Sequence, residues 1–254
     1  MQRNHFLHGE LGLSYLDTGG KGPVLIALHG HWMEGETFRR LSAHLKPGWR
    51  TVAPDQRGHG YSDHTPTYRR DDYLADLLAL YEHLQIEQAV LLGHSLGGVN
   101  AYQFAARHPE RVRGLIIEDI GAVVDADMGF IREWGGTHAT REALARRIGE
   151  RLLPYVEPSI RHTEAGWQLA FDVNDILASQ AQLNGDHWAD WLGSDCPALL
   201  LRGRDSPLSK PELFEQMAQR RPHTELVTLA GGHVIHADNL IGFTEAVKGF
   251  LLSL

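Results

Sequence analysis

The sequence predicts an α/β protein: a mostly parallel, eight-stranded sheet with helices on both faces. Short continuous apolar runs, such as Val24–His29 and Ala89–Leu92, suit strands buried on both faces. Longer stretches carry apolar residues at helical spacing, as in Tyr68–Leu84 with Tyr73, Leu77, Leu80, Tyr81 and Leu84. The two patterns alternate along most of the chain, which calls for crossover helices and parallel strands. At 254 residues, 43% of them apolar, the chain is long enough for one sizeable core.

In chain order, Asn4–Glu10 and Leu13–Thr18 read as an antiparallel pair turned near Leu11-Gly12. Val24–His29 follows as a buried strand, then a helix from about Glu36 to Leu45, the strand Arg50–Pro54 and the helix Tyr68–Leu84. Ala89–Gly93 is a strand, and the helix behind it stops near His108-Pro109, because proline disfavours helix in the residue before it. Val112–Glu118 and Ala198–Gly203 are further strands, and Pro211–Gln219 is a helix with proline in its first turn. Glu225–Leu229 closes the sheet, and Asn239–Leu252 is the last helix. One segment breaks the rhythm. From about Ala122 to Gly193 there is no core strand, only short helical patterns, notably Arg141–Leu153 and Ile176–Leu183. The expected division is a core of residues 1–121 and 194–254 with a helical lid over 122–193, set over the strand ends where such sheets bind ligands. Its aromatics Trp134, Trp167, Phe171, Trp188 and Trp191 are mostly its own small core, with one or two facing a pocket.

Composition narrows the function. The formal charge of −8, with no Lys/Arg run to offset it, argues against nucleic acid or an anionic membrane as partner. The pairs Arg39-Arg40, Arg69-Arg70 and Arg146-Arg147 are isolated and read as solvated helix faces. The start, Met1-Gln2-Arg3-Asn4-His5, has no apolar stretch of the secretory kind, and no apolar run approaches the ~18 residues of a membrane span. The lone Cys196 reads as a small core residue. A cytoplasmic protein is expected.

Gly93-His94-Ser95-Leu96-Gly97 carries the chemistry. It sits behind the apolar strand and ahead of a helical pattern, the context in which Gly-x-Ser-x-Gly forms a nucleophile elbow. The glycines permit a tight turn that lifts the serine above the sheet edge, and the following helix aims its free N–H groups at the same spot. A serine hydroxyl attacks an acyl carbon only when a neighbouring base takes its proton. A serine in this place could otherwise simply cap the helix.

Four motifs occur together in order: Leu28-His29-Gly30, Asp55-Gln56-Arg57-Gly58-His59-Gly60-Tyr61-Ser62, the Ser95 elbow, and Gly231-Gly232-His233. In these the chain resembles the α/β-hydrolase-fold superfamily over essentially its whole length, in its serine esterase branch. The resemblance implies a catalytic triad and an oxyanion hole. Ser95 is the implied nucleophile and His233 the implied base; His236 and His29 read as supporting histidines, and His94 is expected to project away from the nucleophile as the elbow turns. The commonest position for the acid falls on Ser206, which cannot supply charge, with Asp205 one residue early. The alternative position, after the strand that follows the elbow helix, falls on Asp119, beside Glu118. Asp119 is preferred, with Asp205 and then Glu118 as alternatives, and Ser206 would orient the acid or the imidazole. The backbone N–H groups of His31 and Leu96 would form the oxyanion hole, and Trp32, Trp134, Trp167 and Trp188 are candidates for the pocket wall.

The implied activity is hydrolysis of small carboxylic esters through an acyl-enzyme, with the ester and water as partners and neither cofactor nor metal. Lactones, thioesters, amides or a carbon–carbon bond are open to the same mechanism. A small-molecule sensor with slow turnover is a further possibility from a different class.

Overall fold

The structure is a computed structural model describing residues 1–254. The main sheet has eight strands: β1 (Gln2–His8), β2 (Leu11–Asp17), β3 (Val24–Leu28), β4 (Arg50–Asp55), β5 (Ala89–His94), β6 (Val112–Glu118), β7 (Ala198–Gly203) and β8 (Thr224–Leu229). They lie in the order β1-β2-β4-β3-β5-β6-β7-β8, and only the β1–β2 and β2–β4 pairings are antiparallel. The central strands are the continuous apolar runs: Val90, Leu91 and Leu92 of β5 have no exposed surface at all. Each such side chain contributes about 2 kcal/mol by leaving water, and β5 is thereby held in the middle of the molecule.

The first hairpin turns at Gly9-Glu10, two residues earlier than the sequence reading places it. Gly9 supplies the left-handed residue of the turn, φ 63°. Gly12 instead stays in β2, where a Cβ would come within 2.9 Å of the Asp63 carboxylate. The helix expected from Glu36 begins as a 3-10 turn, Gly35–Phe38, and becomes α1 at Arg39–Leu45. Helices α2 (Arg70–His83) and α3 (Leu96–Arg107) cover one face of the sheet; α1 and the last helix, Leu240–Ser253, cover the other. That last helix is capped by Asn239, the residue before it, whose side chain accepts the Gly242 N–H.

Between β6 and β7 the chain leaves the sheet. Val123–Val124 pairs with Gly185–Asp186, so the two limbs of the excursion are joined at their base. The helices Arg141–Ile148 and Val173–Leu183 pack Leu144, Ile148 and Ile176 against Trp134 and Phe171 in a small separate core. The segment is not helical throughout. Ile160–Thr163 and Gly166–Leu169 form a hairpin, and the helix expected to run to Leu153 stops at Ile148, where Gly149 takes φ 83°. No helix is long and apolar enough to cross a membrane.

Candidate active site

Ser95 stands between β5 and α3 with φ 51° and ψ −117°, a conformation that L-residues rarely adopt. The turn closes so tightly that a Cβ at Gly93 would lie 2.2 Å from the Gly97 carbonyl oxygen, and one at Gly97 would lie 2.2 Å from that of Leu28. Both flanking glycines are therefore fixed by contact. The Ser95 side chain makes no capping hydrogen bond to α3, so its Oγ is not spent on holding the helix. Leu96 opens that helix, and its N–H is one of the first-turn donors that lack an intrahelical partner.

The loop after β3 lies against this elbow. A Cβ at Gly30 would sit 3.1 Å from the Ser95 Cβ, which places the backbone of Gly30 and His31 beside the serine. Its position is set from behind by His29, whose Nδ1–H donates to the Gly30 carbonyl at 2.7 Å and whose Nε2 accepts the Gln56 N–H at 3.0 Å. Burial pushes the His29 pKa down to about 4, in keeping with a neutral ring that accepts on one nitrogen. The His31 ring is turned toward the inserted segment, with Nε2 2.9 Å from Ser179 Oγ, and that oxygen lies 2.8 Å from the Tyr73 hydroxyl.

His233 follows β8 on a loop whose preceding Gly232 N–H donates to Asp238 Oδ2 at 2.7 Å. The other oxygen of Asp238 accepts the Tyr155 hydroxyl, 2.7 Å away, from the inserted segment. His233 Nδ1 lies 2.8 Å from Asp119 Oδ2. Asp119, fully buried at the end of β6, also accepts the Ser206 hydroxyl on Oδ2 at 2.5 Å and the Gly203 N–H on Oδ1 at 2.7 Å. These donors come from the end of β7 and the turn after it, so one carboxylate joins three separate parts of the chain. Asp205 is exposed, and its backbone N–H bonds to the Gly231 carbonyl at 3.0 Å. Glu118 faces away from His233, toward His236. His94, beside the serine, donates from Nε2 to the His233 carbonyl at 2.9 Å, linking the elbow directly to the histidine loop. Burial holds His94 well below the usual histidine pKa.

A hollow of about 440 Å³ opens next to His233. Trp32, Met128, Phe130, Leu152, Leu208 and Val234 make much of its wall, with Arg151, Asp127 and Asp205 at the polar parts. Phe130 and Leu208 are each 53% exposed, and both belong to this wall. Of the four tryptophans expected here, only Trp32 lines the hollow. Trp134 is buried behind it, the ring centroids 5.3 Å apart. Trp167 sits on the hairpin against His162, and Trp188 packs on the sheet core with the Arg220 guanidinium 3.9 Å above its ring. Helical spacing and aromatic content cannot tell these placements apart. Met128, Phe130 and Leu208 carry no motif, and sequence reasoning misses them.

Comparison with known proteins shows the family of the fold. Residues 23–167 match the family model described as the alpha/beta hydrolase fold. The chain is 39% identical over 268 residues to the Magnesium-chelatase 30 kDa subunit of Rhodobacter capsulatus, covering 92% of this chain and 90% of that protein. It is 27% identical over 262 residues to the sn-1-specific diacylglycerol lipase ABHD11 of Mus musculus, covering 95% and 85%. The crystal structure of E-2-(acetamidomethylene)succinate hydrolase superposes with a TM-score of 0.87 at 24% identity, over 98% of each chain.

Proposed function

The chain belongs to the α/β-hydrolase-fold family, and on that premise we propose that it is a serine hydrolase cleaving carboxylic esters of small, partly apolar substrates. Ser95 Oγ attacks the acyl carbon while His233 Nε2 takes its proton. Asp119 holds the imidazole with Nδ1–H toward itself and stabilises the imidazolium that forms. The negative charge on the tetrahedral intermediate falls to the N–H groups of His31 and Leu96, each such donor being worth about 3 kcal/mol in the transition state. Collapse breaks the ester C–O bond, and His233 returns the proton to the departing alkoxide. Water then attacks the acyl-enzyme with the same base, releasing the acid and restoring Ser95.

One observation carries the reading: Ser95 has an uncapped side chain in a strained elbow, joined through His94 to the loop whose histidine bonds a buried carboxylate. Ser206 completes the acid by donating to it. The inserted segment acts as the lid, and the hollow between it and His233, walled by Trp32, Phe130 and Leu208, receives the substrate's apolar portion. Relatives named as a lipase and a hydrolase agree with bond hydrolysis. The relative named as a magnesium-chelatase subunit carries a name that states no ester hydrolysis.

The test is turnover of p-nitrophenyl esters over a range of acyl lengths, with labelling by a serine-directed phosphonate. Steady turnover and labelling confined to Ser95 are expected, both lost in Ser95→Ala. His233→Ala should lose nearly as much, and the double variant little more, because residues acting as one unit are not additive. Stoichiometric labelling at another residue, or substantial turnover by Ser95→Ala, would overturn the assignment. Tight ligand binding with one slow turnover would point to a sensor instead.

A further inference from the structure

Glu118 and Asp119 are consecutive carboxylates, and neither has exposed surface. Asp119 takes φ 52°, and the two side chains reach two histidines of one loop. Asp119 meets His233, as described. Glu118 Oε2 lies 2.8 Å from His236 Nδ1, and its Oε1 accepts the backbone N–H of the same residue at 2.9 Å. On its far side His236 Nε2 lies 2.6 Å from Thr37 Oγ1, in the 3-10 turn ahead of α1. His236 sits in a single helical turn, Ile235–Asp238, in which the N–H groups of Ala237 and Asp238 both donate to the Val234 carbonyl. Val234 alone stands between that bonded turn and His233, so a displacement of the turn at His236 reaches His233 through this single residue.

Packing gives no reason for a charge in this place. Buried ion pairs are often replaceable by apolar residues at no cost in stability, or with a gain. Burial pushes the Glu118 carboxyl up, yet the facing His236 and His94 outweigh it and hold it below the usual carboxylate value. What the pair supplies is direction, since a carboxylate gripping both a ring nitrogen and a backbone N–H fixes a residue's position and rotation together.

We propose that Glu118 and His236 are a positioning pair for the base, anchoring the loop so that His233 keeps its bond to Asp119 while facing Ser95. The proposal rests on the serine-hydrolase reading for the role of His233. One arm of its test needs no turnover and so separates the two.

The test compares wild type with Glu118→Gln, which keeps the side chain's size and an acceptor for the His236 N–H but removes the charge. The first readout is the far-downfield proton NMR spectrum, where imidazole N–H groups bonded to buried carboxylates appear, with Asp119→Asn identifying the His233 signal. The second is kcat and KM measured separately, beside Tm. In Glu118→Gln the His236 signal should vanish and the His233 signal shift or broaden. kcat should fall about ten- to hundred-fold, as small misplacements of a catalytic group do, with KM within about two-fold. A His233 signal that stays in place, with kcat within about two-fold of wild type, overturns the proposal and leaves the pair a packing feature. Should Glu118→Gln fail to fold, Thr37→Val loosens only the outer contact of His236. Movement of both signals then supports the proposal, and a fixed His233 signal refutes it.

Discussion

Replacing Asp119 by asparagine isolates one atom of the proposed mechanism. The carboxylate accepts three hydrogen bonds, from Gly203 N–H on Oδ1 and from Ser206 and His233 on Oδ2. A backbone N–H cannot turn around, so the asparagine oxygen must stay with Gly203 and its NH₂ group must take the Oδ2 position. Ser206 can rotate its hydroxyl to accept. The imidazole can answer only by accepting at Nδ1, which moves its proton to Nε2, the nitrogen that should receive the proton of Ser95. The variant keeps the volume and the bonds of the site but carries the wrong tautomer. Such an exchange costs about ten-thousand-fold in kcat, roughly 5 kcal/mol of barrier. Turnover of a short p-nitrophenyl ester measures it, with the melting temperature as the check on folding. Asp205→Asn, at an exposed carboxylate without a side-chain bond to His233, should stay within about two-fold of wild type. The reverse ranking, with Asp119→Asn active and Asp205→Asn dead, would refute the reasoning.

Ser206→Ala removes one donor to a buried anion, a loss of about 1–3 kcal/mol, so kcat should fall by one to two decades without a large change in KM; an unchanged kcat would show the hydroxyl to be idle. The buried histidines predict acid sensitivity. Burial lowers His29 to about 4 and His59 to about 3, so below pH ~6.5 the unfolded chain binds protons that the folded chain refuses, and stability falls as pH drops toward 4. The loss should reach roughly 2 kcal/mol for each of the two by about pH 5, and a Tm that stays level from about pH 7 to pH 5 would contradict it. Phe130→Ala and Leu208→Ala should weaken kcat/KM several-fold for long acyl chains and little for acetate, about 1 kcal/mol of half-exposed contact each. Trp188→Ala should lower Tm and leave chain-length preference alone, and a change of preference in that variant would relocate the pocket.

Much of this arrangement is legible in the sequence because its determinants are local. A doubly buried strand announces itself by a short unbroken run of apolar residues, as β5 does. The elbow is one pentapeptide between a strand and a helix. Asp119 becomes readable once the strand Val112–Glu118 is placed, since the carboxylate follows it directly. The details that escape depend on distant partners. Glu118 and His236 are 118 residues apart, and nothing around either one forecasts the other. The hairpin of Ile160–Thr163 and Gly166–Leu169 has polar, half-buried strands too short for alternation to register. The first turn escapes for a similar reason. Both Gly9 and Gly12 are able to make it, and the Asp63 side chain that occupies the space beside Gly12 arrives from elsewhere in the fold. Trp188 shows the same limit, because its neighbour Arg220 belongs to a helix beyond the next strand.

Asp238 holds Gly232 with one oxygen and Tyr155 with the other, so a single side chain is shared between the base loop and the segment above it. In the proposed hydrolase, any opening of that segment would give up one of the two bonds of Asp238, the side chain that also supports the loop carrying His233. Linkage makes the effect mutual: whatever steadies the loop also steadies the closed segment, by the same free energy.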